Sequence, residues 1–495
     1  MSRFSESKRG LNKTTNYEGQ GAYRMTPKFE LYTLVCTSTF SDKFYTTNKS
    51  ELDRLRDILS KLSPYNDQPF ICKLAVYARE NMHLRTIPLV LIVEAMKANF
   101  YIPWEVITRV IQRADEIYEL LGYYAMANDR KGTKRLNKLA NQLKKGVANA
   151  FYKFDEYQFA KYNRPVSPSL RDALFLTHPV PKAGFKRLFK KIADDSLETP
   201  YTWETQLSER GNTKEVWDEL IASKKLGYMA TLRNLRNMLS VDADMGPALN
   251  YISNREAVLR SKQLPFRFLS AYREVRRAQP TFQTSATLNA IEQAAKYSAD
   301  NIPFLDDKIL IASDCSGSMG AQISPRSSLM YADIGMLLGH MVHYKSPKSI
   351  YGLFSNDFIP CTPANTNILE AMEANREKCV MGATNGHKIF EWLIRTGNQP
   401  DRVMVFTDMQ IWDSEGWWIN GPHTYSMRDM WYRYKQIVPH AKMYLFDLAG
   451  YGQTPIDMSE KDVHLLAGWS DKMFPILERL DKGESALAEI EAVKL

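Results

Sequence analysis

Between residues 50 and 300 the apolar positions recur at helical spacing. Glu51-Leu-Asp-Arg-Leu-Arg-Asp-Ile-Leu59 sets Leu52, Leu55, Ile58 and Leu59 on one face and the charged residues on the other. Pro69 opens Phe70-Ile-Cys-Lys-Leu-Ala-Val-Tyr-Ala-Arg79 and Pro88 opens Leu89-Val-Leu-Ile-Val-Glu-Ala-Met96, both in a first helical turn, where the missing N–H costs nothing. Successive helices of this length, joined by short breaks, predict a solenoid of stacked helix pairs, with no repeat sharp enough to fix the number of units. Beyond residue 307 the period changes. Apolar runs at Lys308–Ser313, Ser349–Phe354, Arg402–Thr407 and Lys442–Phe446 read as strands, with helices around Leu329–Tyr344 and Lys388–Arg395 between them. Such alternation implies a doubly wound, mostly parallel sheet covered on both faces. A chain of 495 residues exceeds one ordinary core, and the change of period predicts a helical domain over 15–300 and an α/β domain over 301–495.

Charge follows the same division. The formal net charge is +9, but residues 301–495 hold 18 Lys and Arg against 24 Asp and Glu; from totals of 65 and 56 this leaves 47 against 32, or +15, for residues 1–300. The helical half is therefore the candidate polyanion binder. Arg130, Lys131, Lys134, Arg135, Lys138, Lys144, Lys145 and Lys153 occur without an intervening Asp or Glu; Phe151, Tyr152, Phe154, Tyr157, Phe159 and Tyr162 lie beside them, and Lys182, Lys186, Arg187, Lys190 and Lys191 follow. A basic surface with neighbouring rings suits phosphate contact combined with base stacking on irregular or single-stranded RNA. The other reading of the same residues is helix core beneath a solvated cationic face.

Chemistry of a different kind sits in the second half. Asp314-Cys-Ser-Gly-Ser318 follows the apolar run Ile309–Ala312, so one turn carries a carboxylate and the hydroxyls of Ser316 and Ser318, with Gly317 letting the backbone curve. Thr384 in Gly382-Ala-Thr-Asn-Gly386 and Asp408 at the end of a second apolar run add two more oxygens. Oxygen ligands select Mg²⁺, Mn²⁺ or Ca²⁺ over Zn²⁺, and strand C-termini of an open parallel sheet are where ligands gather. An Asp-x-Ser-x-Ser turn that merely caps a helix is the plain alternative. The Gly-x-Ser-x-Gly of a hydrolase elbow is absent, since Ser316 stands where its first glycine belongs. With no nucleophile beside its own base, a binding site and not an enzyme is expected.

Cysteines 36, 72, 315, 361 and 379 form no Cys-x-x-Cys pair, and reduced, buried thiols are the expectation. No apolar run approaches the ~20 residues of a membrane span, and Met1-Ser-Arg-Phe-Ser-Glu-Ser-Lys-Arg9 lacks the apolar core of a signal peptide. A cytoplasmic protein without a membrane partner is expected.

The set Asp314, Ser316, Ser318, Thr384 and Asp408 resembles the metal-ion-dependent adhesion site of the von Willebrand factor A domain family. Blocks of the first half resemble the TROVE domain of the Ro autoantigen family: Gly21-Ala-Tyr-Arg-Met25 with Phe44-Tyr45; Lys161-Tyr162 with Asp172, Leu174 and Leu176-Thr-His178; Lys214-Glu-Val-Trp217 with Ala230-Thr-Leu-Arg-Asn-Leu235 and Met238; and Leu264-Pro-Phe266. The resemblance, which extends to bacterial members, implies a monomeric ring of HEAT-type helices followed by the A-type domain, with free 3′ ends of misfolded small RNAs in its hole. It further implies a Y-like RNA on the outer surface at Lys161, Arg164 and His178, with Pro165 standing where an arginine belongs and Arg164 one place earlier. A divalent cation, Mg²⁺ or Mn²⁺, and an exoribonuclease partner such as polynucleotide phosphorylase belong to the same expectation, as does a role in RNA quality control or as a scaffold for RNA decay. The competing reading is an A-domain protein-interaction scaffold without RNA, and a metal-dependent hydrolase is a third.

Overall fold

The structure, a computed structural model, describes residues 13–16, 19–38, 49–130, 138–324, 327–361, 367–411 and 425–495. Two compact units form: one drawn from residues 40–211 with 487–495, the other from residues 1–39 with 212–486.

The first unit is helical. Lys49–Ser60 buries Leu52, Leu55, Ile58 and Leu59, the face that the spacing predicts. Gln68–Glu80 and Ile87–Lys97 start on their prolines, and the latter is buried from Ile87 to Ala95 between Gln68–Glu80 and Ala114–Ala127. So apolar a helix leaves its one acid to be satisfied internally. Glu94 accepts from Arg56 Nε and Nη2 (2.8 and 3.0 Å) and from the Tyr123 hydroxyl (2.6 Å). Arg79 likewise reaches Glu116 at 2.7 Å with both side chains buried; removing one partner of such a pair costs about 3–5 kcal/mol. Trp104–Val110 and Asn141–Ala150 cross closely at Gly146, where a Cβ would lie 2.6 Å from the Ile107 Cβ. Glu156–Tyr162, Leu170–Thr177, Lys186–Ala193 and Trp203–Arg210 complete the series before residue 211. The C-terminal helix Ala488–Glu491 returns to Gln68–Glu80, where Lys73 Nζ donates to the Glu491 carbonyl.

The second unit holds strands β1 (Lys13–Thr15), β2 (Gly21–Arg24), β3 (Ile309–Asp314), β4 (Ser349–Phe354), β5 (Phe358–Cys361), β6 (Arg402–Thr407), β7 (Lys442–Asp447), β8 (Gln453–Thr454) and β9 (Val463–Ala467). The main sheet has the order β5-β4-β3-β6-β7-β9, parallel except for β5, which runs antiparallel to β4. Helices Tyr331–Lys345, Ile368–Arg376, His387–Thr396 and Met427–Ile437 are the crossovers of this doubly wound sheet. β1, β2 and β8 form a separate antiparallel sheet.

The helices from Lys214–Ala222 to Phe282–Ser298 belong to this unit and are tied to the sheet's helices by charge. Arg273 grips Asp333 through two hydrogen bonds (2.7 and 2.9 Å) and Glu373 through Nε (2.8 Å). The buried Glu292 carboxylate accepts from the backbone N–H groups of Ile368, Leu369 and Glu370, satisfying the open N-terminus of helix Ile368–Arg376. No helix among the described residues is long and apolar enough to cross a membrane.

One expectation fails. Cys315 and Cys379 pair as a disulfide with Cα atoms 5.4 Å apart, because the segment after helix Ile368–Arg376 lies along the turn after β3. Cys36, Cys72 and Cys361 are free and buried, as expected, and burial pushes the Cys72 thiol up to about 11.

Candidate metal centre and nucleic-acid interface

β3 and β6 are parallel neighbours in the middle of the sheet, so their C-terminal ends set Asp314 and Asp408 at one edge. Asp314 Oδ1 accepts from the Ser316 N–H (2.8 Å) and Oδ2 from the Thr407 hydroxyl (2.6 Å). The Ser316 and Ser318 hydroxyls lie 3.3 Å apart, and Asp408 Oδ1 accepts from the Gln410 N–H at 3.0 Å. Asp314, Ser316, Thr384 and Asp408 are buried, and Ser318 is half-buried. Burial first, and the charge of Asp408 second, push the Asp314 carboxyl well above the usual carboxylate range. Two carboxylates crowded in one buried place, with hydroxyls beside them, form a donor set that a hard dication neutralises. Asp314 is engaged within its own turn and by Thr407. These two bonds come from the Ser316 N–H and the Thr407 hydroxyl, neither of them in a helix, while helix Tyr331–Lys345 carries its own acid, Asp333, on the Met330 N–H.

The segment carrying Thr384 is laid on this turn by its backbone. Ser316 bridges Gly382, and the Gly317 N–H donates to the Gly382 carbonyl at 2.8 Å. On the other side the Gly382 N–H donates to Ser355 Oγ (3.0 Å) and the Ala383 N–H to Asn356 Oδ1 (2.8 Å). A Cβ on Gly382 would lie 2.4 Å from that Asn356 oxygen, so glycine is required by close approach. Among the described residues no group of three or more His, Cys, Asp or Glu gathers in a metal-binding array, and the candidate therefore rests on two carboxylates and three hydroxyls.

The basic residues divide into tied and free. Arg130 donates to the Lys138 carbonyl and lies over the Tyr124 ring (5.2 Å), while Lys145 Nζ lies over Trp104 (4.3 Å). Lys144 is half-buried. Lys153 donates to the carbonyls of Thr108 and Ile111, and burial lowers its pKa, so it fastens the core instead of serving a ligand. Lys191 pairs with Glu156 at 2.5 Å. Lys131, Lys134 and Arg135 lie outside the described residues, as do Phe44-Tyr45.

Lys161, Arg164, Arg171, Lys182, Lys186, Arg187 and Lys190 are exposed and have no ion-pair partner among the described residues, although Lys182 Nζ lies over the Tyr152 ring (3.9 Å) and Lys161 Nζ over Tyr162 (5.6 Å). Asp172, the single acid between residues 157 and 191, is occupied in capping helix Leu170–Thr177 through Ser169. His178 is exposed at that helix's C-cap with φ of 50°, its N–H on the Leu174 carbonyl. Of the rings offered for base stacking, Phe151, Phe154 and Phe159 are buried and pack on one another, so they are core; Tyr152 and Tyr162 are half-buried, and Tyr157 is exposed. Phe175, which the sequence reading did not name, is also exposed, with Arg171 over it at 5.8 Å.

A second basic pair escaped the sequence reading. Arg233, on helix Tyr228–Ser240, and Arg267, on Phe266–Arg276, are both exposed, yet the protein crowded around the Arg267 guanidinium, and after it the like charge of Arg233, lower the Arg267 pKa; neither has an acidic partner among the described residues. Both lie outside the densest Lys and Arg runs. Only the packing of two helices reveals them.

Comparison with known proteins agrees with this architecture. Residues 23–196 and 190–303 match the TROVE domain family, and residues 308–478 match the Ro60 vWA domain. The crystal structure of the Deinococcus radiodurans RO (RSR) protein superposes with a TM-score of 0.58 over 92% of this chain and 100% of that one, at 17% identity, a likeness of fold. Telomerase protein component 1 of Rattus norvegicus is 24% identical over 52% of this chain and 13% of its own length. Its Mus musculus counterpart is 38% identical over 18% of this chain and 4% of its own. The chain thus spans a small part of these curated relatives.

Proposed function

We propose that this chain, which belongs to the family joining a TROVE domain to a Ro60 vWA domain, is an RNA-binding ribonucleoprotein component that takes free 3′ ends of misfolded non-coding RNA together with a Y-like RNA. The observation that carries the reading is the exposed run from Lys161 to Lys190, seven cations without ion-pair partners and an acid already spent on a helix cap. Each phosphate neutralised there releases counterions, at a salt slope of roughly −0.7 per contact on a single strand. Because the deep groove of duplex RNA admits no side chains, such a surface reads backbone and unpaired bases.

In this reading Lys161, Arg164 and His178 hold structured RNA, while Arg233 and Arg267 meet a single strand entering a monomeric ring. Exposed Tyr157 and Phe175 stack on bases. The site at the sheet edge is a docking point with no catalytic step. Asp314, Ser316, Ser318, Thr384 and Asp408 would hold Mg²⁺ or Mn²⁺, and five side chains leave a six-coordinate ion one open place for an acidic side chain. The partner proposed for it is an exoribonuclease such as polynucleotide phosphorylase, which would make the chain a scaffold for RNA decay. Crosslinking the full chain to RNA in its own cells and sequencing the product tests the reading: recovered small RNAs with unpaired 3′ ends support it. Absence of RNA at low salt leaves the protein-only scaffold.

A further inference from the structure

The disulfide joins the two segments that form the metal centre. Cys315 stands between Asp314 and Ser316, and Cys379 lies three residues before Gly382 on the segment that brings Thr384. Apart from this bond, the turn and that segment are joined through the Ser316–Gly382 bridge and the Gly317 N–H on the Gly382 carbonyl. Ser355 and Asn356 hold that segment from its other side, so the cross-link acts on the geometry of the site as the covalent member of a small set of ties. Cys315 is buried and Cys379 half-buried, so Cys379 is the sulfur that a reductant reaches.

We propose that Cys315–Cys379 is a redox clasp which holds the Thr384 segment on the Asp314–Ser318 turn, and that its reduction by a dithiol loosens the metal centre. The metal half of this statement rests on the proposed function above. The chemistry is thiol–disulfide exchange. A dithiol's thiolate attacks the Cys379 sulfur, forming a mixed disulfide as the Cys315–Cys379 bond breaks, and Cys315 leaves as a thiolate that takes up a proton. The reagent's second thiol then attacks the mixed disulfide, releasing Cys379 as a thiol and the reagent as its cyclic disulfide, two electrons having passed to the protein.

The test uses the full chain, oxidised or reduced with dithiothreitol, and two readouts. Hydrogen exchange followed by mass spectrometry reports on peptides covering 314–320 and 379–386, and titration calorimetry reports Mn²⁺ binding. Reduction should speed exchange in both peptides and weaken Mn²⁺ by on the order of ten-fold, the scale on which supporting contacts act on metal sites. Cys379→Ser should reproduce the reduced behaviour and be insensitive to dithiothreitol. Exchange that responds to reduction in a chain that binds no Mn²⁺ in either state would support the clasp and overturn the metal reading. Unchanged exchange and equal Mn²⁺ affinity in the two states would overturn the clasp and leave the metal site standing.

Discussion

Lys186, Arg187 and Lys190 share the solvent side of helix Lys186–Ala193, whose other face buries Leu188, Phe189 and Ile192, so replacing all three by alanine removes charge without touching the core. If each meets one phosphate of a single strand, the salt slope should shrink by roughly 0.7 per residue, about 2 in all. Between about 50 and 200 mM salt the native chain would then lose roughly twenty-fold more affinity than the variant. Lys191 supplies the control, because it belongs to the same run of sequence but is engaged by Glu156 at 2.5 Å. Lys191→Ala should leave the slope unchanged. The assay is fluorescence anisotropy of a labelled single-stranded RNA titrated at several KCl concentrations. A triple variant with an unaltered slope, or a Lys191→Ala variant that matches it, would refute the division into tied and free cations.

Asp314→Ala should abolish Mn²⁺ binding in calorimetry yet leave RNA affinity within a few-fold, since the proposed ligands and the exposed cations from Lys161 to Lys190 belong to different units. Gly382→Ala must push Asn356 off the Ala383 N–H, losing a hydrogen bond worth about 1 kcal/mol and weakening Mn²⁺ by on the order of ten-fold, again by calorimetry. His340 is buried against Tyr351 (4.1 Å between ring centroids), and burial holds its pKa down from 6.5 to about 3. The folded value lies below the unfolded one, so this stability is complete above pH 6.5 and is lost as pH falls toward 3, by at most about 1.4 kcal/mol per pH unit; urea melts of His340→Gln should show a flatter pH dependence in that window. Replacing Lys161 and His178 together should weaken a structured small RNA more than a short single strand in the same anisotropy assay.

Much of the second unit was legible because its strands are buried on both faces. Ile309–Ala312 and Val403–Phe406 read as apolar runs that lead to Asp314 and Asp408. β5, β9 and the sheet of β1, β2 and β8 were not read from the sequence. β5 is a four-residue edge strand containing Pro360, and β8 is two residues long and pairs with β2 from the opposite end of the chain. Strand-end position brought Asp314 and Asp408 forward as candidates, because strand ends converge wherever a parallel sheet forms, but it could not foresee that Cys379 would meet Cys315 across 64 residues. Composition could not sort the aromatic cluster. Phe151 and Phe159 stack with centroids 5.7 Å apart inside the core, a fact of tertiary packing, as is the ion pair that removes Lys191 from the free surface.

The central claim, that the chain senses an available RNA end, is tested most directly by competition between two stem-loops that differ only in a 3′ single-stranded tail of about ten nucleotides, a length within the site sizes of single-strand binders. Both RNAs compete for the full chain at one near-physiological salt concentration, since affinities at different salt cannot be compared. A basic patch without selectivity for ends would bind both in proportion to charge. The account predicts that the tailed RNA displaces the blunt one at a concentration at least ten-fold lower, a difference of about 1.4 kcal/mol. Equal displacement by the two RNAs would contradict it.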